Sequence, residues 1–267
     1  MPNVQKIKAV LDDRENNLLE AILKAGEILK SYWPNNPDQK ADFTVEIKKD
    51  GSQVTTADFM SNEILLEALQ RNYPSDLICS EEVPYVHQEN NPRVWYVDPL
   101  DGTKHFVDGL DDFSILVGLC ENGIPTIGFI YFPILDVLGF SAKGRGVFGN
   151  EEEIKVSKNT IIDPEKIYVR RFEPKTGKGY KNFDTIDSGN AQYMVASGTL
   201  DACIAKLVSH KAWDFVATSA MIINAGGLVT DEYGNNIKFI GSDMTSDFYV
   251  ASNGLVHQEI LDLIKNN

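Results

Sequence analysis

Cysteine is scarce in this chain. There are three, Cys79, Cys120 and Cys203, odd in number and widely spaced. They form no disulfide framework and no zinc pattern, so they read as free thiols in a reducing compartment. Basic residues are also few, 25 Lys and Arg against 39 Asp and Glu, a net charge of −14. No basic footprint for a nucleic-acid polymer is visible. A small anionic substrate stays open, because bound metal ions reverse a local field. No run of 18 apolar residues occurs, which argues against a membrane span. The opening stretch, MPNVQKIKAVLDDRENN, is charged and lacks the apolar core of a signal peptide, so a cytoplasmic protein is expected. Neither a reactive cysteine nor a Ser–His pair is apparent.

What is present is enough apolar content, 43% of 267 residues, for one large domain or two coupled halves. Leu11, Leu18, Leu19, Ile22, Leu23 and Leu29 recur at helical spacing and predict a helix over 11–31, stopped by Tyr32-Trp33-Pro34. A polar stretch over 35–53 follows, with Asp50-Gly51 as a turn signal. A second helix is predicted over 58–71. Short strands are predicted over 77–79, 94–97, 113–119, 124–132 and 137–141. Their tight turns at Glu121-Asn122-Gly123 and Lys143-Gly144-Arg145-Gly146 indicate an antiparallel sheet. A polar seam near 150–165 divides the chain into expected halves 1–155 and 156–267. The second half reads as helices near 199–208 and 214–225 alternating with strands near 166–170 and 248–251.

One stretch, WYVDPLDGTKHF over 95–106, places Asp98 and Asp101 three residues apart after an apolar run. Carboxylates that close raise one another's pKa, so something must compensate. A capped turn explains them blandly, since Asp favours N-caps and turns. A hard cation such as Mg²⁺, which takes oxygen ligands, explains them chemically. The Gly102 and Thr103 amides would then open a helix facing an anion. A covalent phosphatase with an Asp-x-Asp-Gly-Thr nucleophile fits less well, because the spacing here is one residue longer. Three other segments tilt the balance: Val54-Thr55-Thr56-Ala57-Asp58, Ser80-Glu81-Glu82 and Trp213-Asp214. Each acid has a bland reading as a solvated pair or a helix-start residue. Together, four segments bring an acid to the end of an element, where sites are built.

These four ordered motifs, with Ala225-Gly226-Gly227 after the last, resemble the inositol monophosphatase superfamily of Mg²⁺-dependent, lithium-sensitive phosphatases. The resemblance runs from about Asp50 to Gly234. It implies an α/β (α+β) fold of the inositol monophosphatase and fructose-1,6-bisphosphatase type, a layered αβαβα sandwich, and a homodimer. It implies Glu81, Asp98 and the Leu100 carbonyl as ligands of one metal, and Asp98, Asp101 and Asp214 as ligands of a second. A third, weaker metal is implied near Glu81. Asp58 and Thr103, with Glu81, are the implied catalytic residues, orienting and deprotonating a water. The Gly102 and Thr103 amides are the implied phosphate cradle.

Lys104 and Phe106 make Asp-Gly-Thr-Lys-x-Phe most similar to the 3'(2'),5'-bisphosphate nucleotidases, which implies adenosine 3',5'-bisphosphate as substrate. Inositol, sugar and histidinol phosphate phosphatases of the same superfamily are the alternatives. Leu207 stands where inositol phosphatases place a substrate-binding Glu, seven residues before Asp214. Asp187-Ser188-Gly189-Asn190-Ala191 looks like a shortened form of the Gly-Ser run that precedes the strand expected at Val195. Arg170-Arg171-Phe172 lies where nucleotidases carry a Ser-Arg-Ser/Thr-His-like stretch, so Arg170 or Arg171 is expected to contact a second phosphate. A solvated arginine pair is the competing reading. His105 and His210 read as packing or surface residues. The rival class is a non-enzymatic scaffold of the same fold, against which the intact acid set stands.

Overall fold

Asp12 starts the first long helix of the computed structural model, which describes residues 2–37, 44–48, 53–85, 92–174, 186–208 and 210–267. A six-residue helix, α1 (Gln5–Val10), precedes it. In α2 (Asp13–Tyr32), the Asp12 carboxylate accepts from the Glu15 amide at 2.8 Å, and Glu15 accepts from the Asp12 amide at 2.9 Å. This reciprocal cap explains why the helix begins two residues later than its apolar periodicity alone predicts. A two-stranded hairpin, β1 (Val45–Ile47) and β2 (Gln53–Thr55), occupies the polar stretch that follows. The turn signal Asp50-Gly51 lies outside the described residues. Helix α3 (Thr56–Asn72) comes next.

Seven strands then form one sheet in sequence order: β3 (Leu77–Ser80), β4 (Arg93–Asp101), β5 (Ser114–Glu121), β6 (Ile124–Phe132), β7 (Val137–Ala142), β8 (Gly146–Gly149) and β9 (Glu152–Glu153). All neighbours are antiparallel except β3 and β4, which run parallel. The short helix α4 (Thr103–Val107) leaves the end of β4. Strand alternation sorts the core. Trp95, Val97, Ile115, Val117, Phe129 and Tyr131 bury against α2 and α3. Tyr96, Leu116, Ile130 and Phe132 bury on the opposite face.

The rest of the chain covers that opposite face. It comprises β10 (Ile167–Arg170), α5 (Ser188–Ala196), β11 (Ala202–Lys206), α6 (Val216–Asn224), β12 (Leu228–Thr230), β13 (Phe248–Ser252) and α7 (His257–Lys265). The four strands make a second sheet in the order β10-β11-β13-β12. Val195, Val216 and Ile222 of α5 and α6 share one apolar cluster with Cys203 and Tyr249 of that sheet. Its far face packs Ile167, Ile204 and Val250 against Ile260 of α7. The layers therefore run helix, sheet, helix, sheet, helix, as the αβαβα expectation required.

Two facing glycines set the central spacing. Gly118 and Gly128 are register partners on β5 and β6. A Cβ on Gly128 would stand 2.0 Å from the Ala217 carbonyl oxygen, and one on Gly118 would stand 2.6 Å from the Ala217 nitrogen. Helix α6 lies directly on backbone there, which brings the chain just before it, including Asp214, down onto the sheet.

The second half departs from expectation in one place. Residues 202–206, inside the predicted helix 199–208, are strand β11, and Val195 is helical, not on a strand. The run Ala202-Cys203-Ile204-Ala205 is buried on both faces of a sheet, and such short apolar runs carry no period to read. The helix lies earlier, capped by the Asp187 side chain on the Gly189 amide at 3.1 Å and closed by Gly198 at φ 75°.

Candidate active site

Strand β4 does not end at Asp98. It continues to Asp101 through a bulge: Asp98 opposes Leu116, while Asp101 opposes Ser114. Three steps on β4 thus match two on β5. In an unbroken strand, residues three apart face opposite sides. The extra residue lets Asp98 and Asp101 line the same cavity, of about 700 Å³. Both are nearly buried, at 2% and 8% exposure. Asp98 accepts from the Leu100 amide at 3.1 Å, whereas Asp101 Oδ2 is buried with no hydrogen-bond partner among the described residues. Gly102 follows at φ 82°, and a Cβ there would press on the Asp112 carbonyl oxygen at 3.2 Å and on Asp187 at 3.3 Å. Helix α4, which it opens, has only five residues. Its macrodipole is correspondingly small, so an anion at this point would rest on the amides themselves.

Asp58 arrives from α3. It is the third residue of that helix and closes its capping box: the Thr55 amide donates to Asp58 Oδ2 at 2.7 Å and the Thr55 hydroxyl at 2.6 Å. Its other oxygen faces Thr103, whose hydroxyl lies 3.3 Å from Asp58 Oδ1 and 3.1 Å from the Leu100 carbonyl oxygen. The hydroxyl has one proton for these two acceptors. Burial pushes the Asp58 carboxyl up to about 7, against the Thr55 hydrogen bonds, with Glu82 and Glu81 adding to the rise.

Glu81 and Glu82 follow β3, whose end is pinned by the Ser80 hydroxyl on Asn62 at 2.6 Å and the Glu81 amide on the Val97 carbonyl at 3.1 Å. The Lys48 ammonium, from the β1–β2 hairpin, bridges Glu81 at 2.7 Å and Glu82 at 2.8 Å. Burial opposes its charge, but the two carboxylates outweigh burial and raise its pKa. Asp214 ends a 3₁₀ turn, Ala212–Asp214, and accepts from the Lys211 amide at 2.9 Å. Burial pushes its carboxyl up to about 8, with Glu81 and Asp187 adding. Asp98 and Asp101 rise for the same first reason, then through Glu81 for Asp98 and Asp187 for Asp101.

The donor set fits a hard cation. Buried carboxylates crowd one cavity, are lifted toward protonation, and include an oxygen with no partner; a divalent ion offsets all three penalties. Among the described residues, no three acids, histidines or cysteines already stand close enough together to hold a metal ion. The match extends over nearly the whole chain: the model of the inositol monophosphatase family fits residues 11–267. The chain belongs to the inositol monophosphatase family. This is a family of metal-dependent phosphatases, and the chain is a hydrolase of that kind. It is similar to a fructose-1,6-bisphosphatase/inositol-1-monophosphatase of Thermotoga maritima, 28% identical over 267 residues that cover 94% of this chain and 96% of the relative. A 3'(2'),5'-bisphosphate nucleotidase CysQ of Aggregatibacter actinomycetemcomitans is 26% identical, covering 80% and 83%. Relatives with inositol-monophosphatase names are the commoner ones. The solved structure of Thermotoga maritima IMPase TM1415 superposes with a TM-score of 0.78 at 26% identity, covering 96% of this chain and 98% of that one.

The remaining family expectations separate on geometry. Lys104, Arg170 and Arg171 all border the acid cavity. Lys104 is largely exposed and pairs with Asp108. Arg170 lies 3.9 Å from the Asp187 carboxylate, and Arg171 is exposed at φ 55°. His105 is tied to the Asp112 carbonyl at 2.9 Å. His210 does border the cavity; burial, then Arg170 and Arg171, hold it down to about 4. Leu207 packs into the inter-sheet cluster instead. Two residues were not assigned to the site from the sequence: Lys48, and Asp187, which was read only as part of a shortened Gly-Ser run. Asp187 had a legible signal, an Asp before Ser-Gly at a helix start. Lys48 had none, since a lysine on a polar hairpin looks like any surface lysine.

Proposed function

We propose that this chain is a Mg²⁺-dependent phosphomonoesterase of small phosphorylated metabolites, acting through an activated water. The observation that carries the reading is the Asp58–Thr103–Leu100 arrangement at hydrogen-bond distance beside buried Asp98 and Asp101 and half-buried Asp214. Glu81, Asp98, Asp101, Asp214 and the Leu100 carbonyl would hold two to three Mg²⁺ ions. When bound, these supply charge neutralisation and Lewis acidity. The Thr103 hydroxyl accepts a hydrogen bond from the attacking water and gives its own proton to Asp58. Asp58, held near 7 by burial, can take that proton at neutral pH. The Gly102 and Thr103 amides receive the phosphoryl oxygens, at a left-handed turn (φ 82°) that a side chain at Gly102 would strain.

For the substrate, the names of the relatives support inositol, sugar or histidinol phosphates better than adenosine 3',5'-bisphosphate. The bisphosphate reading rests on Lys104, which is exposed and paired away, and on Arg170 and Arg171 as a second phosphate contact. Family membership also supports a homodimer, which sedimentation would measure. A phosphate-release panel with Mg²⁺ tests the whole reading. It holds inositol 1-phosphate, fructose 1,6-bisphosphate, histidinol phosphate and adenosine 3',5'-bisphosphate. Turnover of one of the first three, abolished by chelation, is expected. Preference for the nucleotide restores the bisphosphate reading, and hydrolysis of none refutes the phosphatase assignment.

A further inference from the structure

A groove of about 500 Å³ opens beside the acid cavity and shares Ile47, Lys48, Glu81 and Trp213 with it. Its character is different. Ile47, Phe59 and Val83 stand in it at 65%, 47% and 41% exposure, next to Tyr85 and Trp213. Large apolar side chains left in water at the mouth of a polar site call for a ligand. Of the charged lining, Lys48, Glu81 and Glu82 already engage one another.

The chain couples this wall to the acids. Phe59 follows Asp58, Val83 follows Glu81-Glu82, and Trp213 precedes Asp214. Whatever holds those carboxylates in place also holds the apolar wall at a fixed offset from them. A substrate whose phosphate sits at the acids must send its organic part somewhere. The contiguous groove is wide enough for a ring and offers it apolar faces. A polyol there would set most of its hydroxyls against the apolar faces of Ile47, Phe59 and Val83. A flat aromatic or heteroaromatic ring would bury apolar surface and stack on Phe59 or Trp213.

We propose that the wall formed by Ile47, Phe59, Val83, Tyr85 and Trp213 selects phosphate esters whose organic part carries an aromatic or heteroaromatic ring, a specificity that rests on the phosphatase reading above and favours histidinol phosphate among the three esters expected there. Phe59 and Val83 are the specificity residues to test, because both are exposed and neither touches the acids' hydrogen bonds. Steady-state rates with Mg²⁺ are compared for phenyl phosphate and glycerol 2-phosphate. Phe59→Ser and Val83→Ser should each raise KM for phenyl phosphate about tenfold, with kcat kept and glycerol 2-phosphate unaffected. Equal changes for both esters, or none, overturn the proposal. A second arm needs no turnover: calorimetry of phenylphosphonate against methylphosphonate, with Mg²⁺ present. The parent chain should prefer the phenyl compound, and Phe59→Ser should erase the preference. Equal binding by the parent overturns the apolar wall even if phosphatase activity stands. A phenyl preference lost in Phe59→Ser, in a protein that hydrolyses neither ester, keeps the wall and refutes the phosphatase reading.

Discussion

Strand β4 carries buried or half-buried charge at both ends, and the two ends are treated oppositely. At its start, Arg93 donates to Asp76 at 3.1 Å and also pairs with Glu121. Nearby, buried Glu15 receives a two-pronged Arg145. Each acid there meets a cation supplied by the fold. At its finish, Asp98 and Asp101 join Asp214 without an equal number of cations, and among the described residues one Asp101 oxygen has no hydrogen-bond partner. Charges that serve structure are compensated within the protein. Charges left uncompensated in a cavity mark where the protein expects something from outside.

The sharpest way to break this contrast is to neutralise one acid at each end. Asp98→Asn should cost on the order of a thousandfold in kcat/KM, since metal-held charge is worth several kcal/mol in the transition state. The same change should raise the melting temperature of the metal-free protein, because it removes an uncompensated buried carboxylate. A lower melting temperature would refute that. Glu15→Gln should do the reverse: a loss of about 2 kcal/mol in denaturant unfolding, with Mg²⁺-dependent activity unchanged.

The pH dependence sharpens the same comparison without mutation. Asp58 and Asp214 rise from 3.8 to about 7 and about 8 on folding, and Asp98 and Asp101 rise too. A carboxyl raised on folding binds more protons in the folded state. Its stabilising effect is complete below the unfolded value and is lost as pH rises through the folded one. Metal-free protein should therefore lose stability between about pH 4 and 8, and Mg²⁺ should recover most at the alkaline end. Differential scanning fluorimetry with and without chelator reads both slopes; a flat chelated profile would contradict the assignment. The smallest effect concerns Lys48, whose ammonium spans Glu81 and Glu82 where a cation belongs. Lys48→Met should tighten Mg²⁺ binding a few-fold, about 0.5–1 kcal/mol, by titration calorimetry. Weaker binding would make Lys48 a partner of the metal rather than its competitor.

Much of this was legible in the residues. The long helices came from apolar spacing, and the sheet came from strands joined by short turns. The acids at element ends pointed to a cation before any fold was drawn. The helix over 188–196 was legible only at its Asp187 start, because its apolar face is short and the double-sided burial of 202–205 mimics a helix. The bulge was not legible either. A Pro and a Leu between two acids say nothing about which neighbour lacks a residue.

The sequence by itself determined the chemistry on offer: acids at Asp58, Glu81, Asp98, Asp101 and Asp214, a glycine at 102 and a hydroxyl at 103. Residue identity decides which atoms can hold a cation or move a proton, and no fold can supply them. Only the tertiary structure decided that these atoms meet. Asp98 and Asp101 share a cavity because β5 is one residue short opposite them. Asp214, more than a hundred residues away, joins them because Gly118 and Gly128 let α6 lie on the sheet. Convergence depends on register and interlayer distance, which are set by packing between segments far apart in the chain.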